Sequence, residues 1–219
     1  MALAGDRVST AEASAADMLR ASPRLFENPL LDKFSRVHWS MPLVVYLPCV
    51  AVLAFLSLGA MPMPFVLGGL VLGYAIWTLI EYFGHRYLFH FEFPGRFGQR
   101  IHFLIHGVHH VHPNDPLRLV MPPLLSGPIM LSAFAVTTLL FGHPFGYAVL
   151  TGFLVGYLAY DMTHYYVHHA EPTTRLGITL RRLHMLHHFR DPTRNFGVSA
   201  PWWDKIFKTA LAAKQVDAA

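Results

Sequence analysis

VHWSMPLVVYLPCVAVLAFLSLGAMPMPFVLGGLVLGYAIWTLI, residues 37–80, contains no Asp, Glu, Lys or Arg, and neither does the run 119–160. A membrane-spanning helix needs about 20 apolar residues, so each run is long enough for two spans joined by a tight turn. The turn signals are present: Gly59-Ala60-Met61-Pro62-Met63-Pro64 in the first run and Phe141-Gly142-His143-Pro144 in the second. The resulting fold class is an all-α membrane protein with four transmembrane helices near 41–59, 64–86, 122–141 and 145–168, arranged as two hairpins. Composition agrees. Of 219 residues, 53% are hydrophobic and 14% charged, and a mean hydropathy of +0.37 is too apolar for an ordinary soluble domain.

Charge sets the sidedness. All 17 Lys and Arg lie in the N-terminal arm, the 86–118 connection or the C-terminal tail, and none lies in the two short turns. The positive-inside rule places those three regions, and both termini, in the cytoplasm. The expected organisation is a cytosolic and interfacial arm over residues 1–40 and a membrane domain over 41–219, with a histidine-rich helical cap from 87–121 and 169–210. In the arm, Ser9-Thr10-Ala11-Glu12 reads as a capping box for a short helix. PRLFENPLLDKFSRVHWSM, residues 23–41, mixes aromatics and leucines with cations as a membrane-surface segment does. The arm has no apolar core of the kind a cleavable signal peptide carries. The net charge of +4 is segregated rather than gathered into a nucleic-acid patch, and the single Cys49 excludes an intrachain disulfide.

Ten of the 15 histidines fall in four boxes. His85 and His90 form H-x-x-x-x-H; His106, His109 and His110 form H-x-x-H-H; His164 and His168 form H-x-x-x-H; His184, His187 and His188 form a second H-x-x-H-H. Neutral imidazole ligates Zn, Cu, Fe and Ni, and helical offsets of three and four share a face, so each H-x-x-H-H is expected to aim three nitrogens at one point. Ten nitrogens exceed the roughly four to six that one first-row ion accepts, which favours two ions. The boxes also echo: His90 to His106 and His168 to His184 have the same offset, suggesting a pseudo-repeat with five histidines from each half in a shared site. Glu81 and Asp161 precede the first box of each half and are expected to accept hydrogen bonds from ligand imidazoles. His38, His102, His112, His143 and His169 stay outside the ligand set.

Zinc would make such a site hydrolytic, whereas iron could activate oxygen, and an apolar substrate could reach a site at the mouth of a bundle from the lipid. Oxidation of an unactivated C–H bond is beyond side chains alone and needs a redox metal. A metal transporter would place polar residues mid-span, which these spans lack, and a cytochrome would pair axial histidines inside the bundle.

The stretches WTLIEYFGHRYLFHFEFP, HFLIHGVHHVHPNDPLRLVMPP, GYLAYDMTHYYVHHAEP and LRRLHMLHHFRDPTRNFGVSAPWWDKIF resemble the membrane fatty acid 2-hydroxylases of the fatty acid hydroxylase and sterol desaturase superfamily, over about 28–208. The resemblance makes 41–219 a fatty acid hydroxylase domain. It implies an O2-dependent enzyme with two iron ions, zinc being an alternative occupant on isolation, that hydroxylates carbon 2 of long acyl chains, free or in sphingolipids. It implies that the ten boxed histidines are the ligands and that Tyr160 and Asp161 face the site. Arg118, Tyr160 and Asp161 are candidate head-group partners, with a structural cation at the membrane surface the equal alternative for Arg118. Desaturation, or hydroxylation of a sterol or carotenoid, remains open within the superfamily. Eukaryotic relatives often carry an electron-delivering haem domain; this sequence shows none, so a separate donor, a reductase with a cytochrome or ferredoxin, is expected. The membrane would be a bacterial inner membrane or the endoplasmic reticulum.

Overall fold

The structure, a computed structural model, describes residues 15–91 and 94–211; among these it is helical and without strands. The expected capping box, residues 9–12, lies outside the described residues, and residues 15–20 after it are helical. A short helix Pro29–Phe34 (α1) precedes Met41–Ala60 (α2) and Met63–Phe83 (α3), which continues through a π-helical turn, Gly84–Phe89. Gly95–His102 (α4) runs through a second π turn, Phe103–Gly107, into Val108–Val111 (α5). Pro123–Phe141 (α6), Phe145–His169 (α7), Arg175–Phe189 (α8) and Trp202–Ile206 (α9) complete the order. Four helices are long and apolar enough to cross a membrane: α2, α3 with its π turn, α6 and α7. Their bounds agree with the expected spans to within a few residues. Prolines in the first turn of α2, α3 and α6 suit helix starts, where the missing N–H has no intrahelical partner to lose.

The two tight turns are in place, but the packing is not that of two hairpins each closed on itself. α2 and α3 touch little, and α3 lies along α7, which also receives α2 and α6. Glycine explains the choice. A Cβ on Gly73 would stand 1.8 Å from the Val149 carbonyl oxygen, and one on Gly152 would stand 2.0 Å from that of Leu70. Backbones this close are available only to residues without a side chain, and in lipid, where apolar burial gives no net drive, such contact supplies the association. Around the crossing, the Trp77 ring meets Phe153 and Tyr157 edge-on at 5.1 and 5.2 Å, and Tyr157 meets Tyr46 at 5.3 Å. α7 is therefore buried along most of its length, whereas α2, α3 and α6 turn residues such as Phe55, Val71 and Leu139 outward to lipid.

This packing brings the histidine-bearing ends of α3 and α7 to the same end of the bundle, where α5 and α8 meet them. The arm joins there too. The Val37 N–H donates to the Leu117 carbonyl at 2.7 Å, and α1 leaves Leu30 and Phe34 exposed, as an interfacial helix does.

Gly152→Leu should push α3 from α7 and cost at least the roughly 1–3 kcal/mol of an overpacked core, read as loss of the monodisperse species in detergent. Gly68→Leu, where an added Cβ meets nothing within 4 Å, should leave that species intact.

Candidate metal centre

The ten boxed histidines gather into two groups of five, and the ligating atoms within each group lie within 4.8 Å of one another. One group is His85, His90, His106, His110 and His187; the other is His109, His164, His168, His184 and His188. Each half of the chain thus gives four histidines to one group and one to the other. Helix geometry explains the exchange. At about 100° per residue, positions i and i+4 are separated by roughly 40°, while i+3 falls about 60° to the other side. His106 and His110 accordingly share a group while His109 crosses over, and His184 and His188 share the other while His187 crosses back. The expectation that each H-x-x-H-H aims three nitrogens at one point is corrected: it aims two at one and one at the other.

The H-x-x-x-x-H box needs a different device. On an α-helix, residues five apart diverge by roughly 140°, but His85 and His90 lie on the π turn, where the His90 N–H donates to the His85 carbonyl at 3.3 Å. The wider turn brings the two rings to one side. His90 Nε2 sits 3.2 Å from His85 Nε2 and 3.0 Å from His187 Nε2. His106 begins its own box within the second π turn.

Whether these nitrogens suit a cation can be tested on their protons. His85 Nδ1 donates to the Phe196 carbonyl at 2.6 Å, and His187 Nδ1 donates to that of Arg194 at 2.6 Å. Their neutral rings therefore present bare lone pairs at Nε2. In this group His85 Nε2 faces His106 Nε2 at 3.1 Å, which faces His110 Nε2 at 3.1 Å. In the other, His109 and His164 meet at 3.0 Å, His168 and His184 at 2.9 Å, and His184 and His188 at 3.1 Å, all through Nε2. One proton per ring cannot satisfy these contacts: His85 and His187 have placed theirs at Nδ1, and His90, which faces both through Nε2, has a single proton for the two. Nitrogens about 2.1 Å from a common centre and at right angles to each other lie about 3.0 Å apart, matching these edges. The residues fit a metal ion in each group. Burial, reinforced by neighbouring imidazoles, holds His106, His109, His184 and His188 well below the ordinary imidazole range. Burial also lowers His90 and His110 to about 3 and His187 to about 4. At neutral pH these rings carry no charge, the form that ligates. The groups abut, with the His110 and His188 rings stacked at 4.3 Å.

The five other histidines stand outside both groups. His112 Nδ1 donates to the Met18 carbonyl, His38 pairs with Ser40, and His143 lies against Tyr147 in the turn at the far end of the bundle.

Neither acid bonds a boxed imidazole. Glu81, 5% exposed, accepts from the Ser199 backbone N–H at 2.7 Å and from the Ser199 hydroxyl. Asp161 receives the Met121 N–H at 3.4 Å. The role expected of the acids is filled by main-chain carbonyls of the 194–196 loop. That loop is held by Asp204, which accepts from Phe196 N–H and Gly197 N–H at 2.8 Å each and from the Thr209 hydroxyl at 2.7 Å. Asp204, Ser199 and the two carbonyls escape a reading by motif; the only signal is an acid in the aromatic run WWDKIF, where a charge has reason to be buried only if it is bonded.

A cavity of about 300 Å³ reaches both groups, with His106, His109 and His164 on its wall. Tyr160, whose ring stacks on His164 at 5.8 Å, and Asp161 bound it beside them. Leu25, Phe26 and Phe34 of the arm, with Leu124 and Leu125 of α6, make the rest largely apolar.

A membrane bundle with paired histidine groups under an apolar cavity belongs to the class of metal-dependent membrane enzymes acting on lipid. The family model described as fatty acid hydroxylase matches residues 70–209, and the chain belongs to that family of hydroxylating oxidoreductases. A dihydroceramide fatty acyl 2-hydroxylase of Arabidopsis thaliana is 36% identical over 88% of this chain and 81% of its own. A fatty acid 2-hydroxylase of Mus musculus is 33% identical over 86% of this chain and 56% of its own. The solved hydroxylase domain of full-length scs7p superposes with a TM-score of 0.81 at 34% identity, covering 85% of this chain and 71% of that one.

Asp204→Ala should release the 194–197 loop and cost about 2–3 kcal/mol, the scale of hydrogen bonds to a charged group, seen as a lower melting temperature in detergent. Ser199→Ala, which keeps the backbone donor to Glu81, should cost less.

Proposed function

We propose that this chain inserts one oxygen atom from O2 at carbon 2 of a long acyl chain, free or carried in a lipid such as a sphingolipid. The observation that carries the reading is the pair of five-imidazole groups side by side at the wall of one apolar cavity. The balance is that one oxygen atom enters the C–H bond as a hydroxyl and the other leaves as water. A separate donor, a reductase with a cytochrome or ferredoxin, supplies two electrons, and two protons accompany them. Two iron ions, one held by each histidine group, would supply the oxidising power that side chains lack; zinc, which imidazole also binds, is the expected substitute after overexpression.

The chain's own residues do the positioning. Apolar walls exclude water and admit the acyl chain from the lipid. Tyr160 and Asp161 bound the reacting end, and we assign them to orienting the carbon that is attacked, since a reaction at one carbon among many is decided by proximity. The choice of carbon 2 follows the activity named for the Arabidopsis and mouse relatives. The 41–219 segment acts as one catalytic domain, with 1–40 as its interfacial arm. We assign the site and both termini to the cytoplasmic side, a reading supported by the three basic segments and the positive-inside rule.

A reporter fused after Ala219 should read as cytoplasmic, and one inserted at His143 as lying on the opposite side; the reverse pattern sinks the orientation. Elemental analysis should find two metal ions per chain. His109→Ala and His187→Ala should each lose metal together with nearly all product, and His143→Ala neither. In a host without 2-hydroxy lipids these should appear only with the protein, oxygen and a reductase. Hydroxyls at another carbon, new double bonds, or product without oxygen would reject the assignment.

A further inference from the structure

We infer that Arg118 is the donor that grips the acyl carbonyl oxygen, and that the balanced ion cluster around it selects a neutral, amide-type carbonyl over a free carboxylate; this rests on the acyl-hydroxylase reading above. Arg118 lies on the wall of the cavity that reaches both histidine groups, three residues before Met121, whose N–H meets Asp161. Its side chain is 3% exposed. Nη1 donates to Asp115 at 3.3 Å and to the Ser22 hydroxyl at 3.3 Å. Nη2 stands 3.6 Å from Asp32, within reach of its charge but beyond a hydrogen bond. Nε and Nη2 are both buried and meet no hydrogen-bond acceptor. These two nitrogens share the side-on edge of the guanidinium, the edge that binds oxygen in a forked pair of hydrogen bonds. Buried N–H groups of a cation are costly to leave without an acceptor, so this edge is suited to receive one. In a cavity whose wall beyond the histidines, Tyr160 and Asp161 is largely apolar and suits an acyl chain, the arriving oxygen is that of the acyl carbonyl, and carbon 2 is its next neighbour along the chain.

Charge decides which carbonyl. Arg118 and Arg36 are matched by Asp115 and Asp32, with Arg36 and Asp32 paired at 3.2 Å. The Leu25 N–H, at 2.7 Å, holds the Asp32 carboxyl below its ordinary range, so this partner is ionised. A neutral carbonyl oxygen satisfies the free edge of Arg118 and leaves the balance at zero. A carboxylate adds a negative charge beside two others on a partly buried wall, where an unmatched charge is costly. Asp32 sits on α1, which makes the arm part of the specificity apparatus as well as of the cavity wall.

The test uses the detergent-purified full chain, with N-palmitoyl sphinganine and palmitic acid as probes, and reads direct binding separately from turnover. Wild type should bind the amide lipid more tightly than the acid. Arg118→Lys keeps the cation for Asp115 and Asp32 but removes the forked edge; it should weaken amide-lipid binding about tenfold with metal content unchanged. Asp32→Asn leaves one positive charge in excess and should shift the binding ratio toward palmitic acid by about tenfold. The inference is overturned if wild type binds neither probe, if Arg118→Lys binds the amide lipid as wild type does, or if Asp32→Asn leaves the ratio unchanged. Arg118-dependent binding without 2-hydroxy product would remove the hydroxylase reading and leave the anchor standing. Unchanged binding and KM in Arg118→Lys with 2-hydroxy product would do the opposite.

Discussion

Ten imidazole nitrogens gathered in two groups, with facing neighbours about 3 Å apart, are the constraint on which this structure depends. Left to themselves, lone pairs at that spacing repel, and each ring has a single proton with which to relieve the contact. Burial removes the remaining escape, which is to protonate and separate, because charging an imidazole away from water is costly. A cation at the centre of each group would turn the repulsion into attraction and would couple metal binding to the folding of this end of the bundle. The rest of the molecule can be understood as what is needed to hold ten rings in place against that repulsion until it is relieved.

Two kinds of rigidity do so. In the bilayer, the glycine crossing of α3 and α7 fixes the ends of the two helices that carry His85, His90, His164 and His168, because backbones in contact leave no slack for one helix to slide on the other. Outside it, the loop from Arg194 to Ala200 bonds to two rings through carbonyls and to Glu81 and Asp204 through N–H groups. A buried carboxylate that accepts several N–H bonds fixes the loop's conformation, and the loop's carbonyls then fix which ring nitrogen keeps its proton. The acids thus act on the imidazoles one step removed, through main chain.

Much of this was legible in the sequence, and the division is physical. The spans are readable because a bilayer forbids unpaired charge over a fixed length, so Arg36 to Glu81 and Arg118 to Asp161 announce their contents. The ligand types are readable because ten histidines at helical offsets have few other uses. The assignment of His109 and His187 to opposite groups was not readable from box spacing, since it depends on where each helix axis runs between the two centres, and the His85–His90 pair requires a π turn that no local signal specifies. The role of Asp204 depends on a loop meeting it across the fold, and the pairing of α3 with α7 rather than α2 depends on glycines that could equally have faced lipid, as Gly68 does.

The two histidine groups are not held alike, and the difference follows from chain order. The C-terminal loop can reach only the rings on its own side, so it bonds His85 and His187, both of one group. In the other group, the Nδ1 atoms of His109, His168, His184 and His188 are buried without a protein acceptor. Rings fastened at Nδ1 cannot turn without breaking a bond to main chain, whereas rings held by packing alone can shift by the small angles that a change of ligand number demands. Main chain therefore fixes the ring orientation of His85 and His187 in the first group, and packing among imidazoles holds most of the second. The second is also the group to which both His109 and His164 of the cavity wall belong, while the first shows only His106 there.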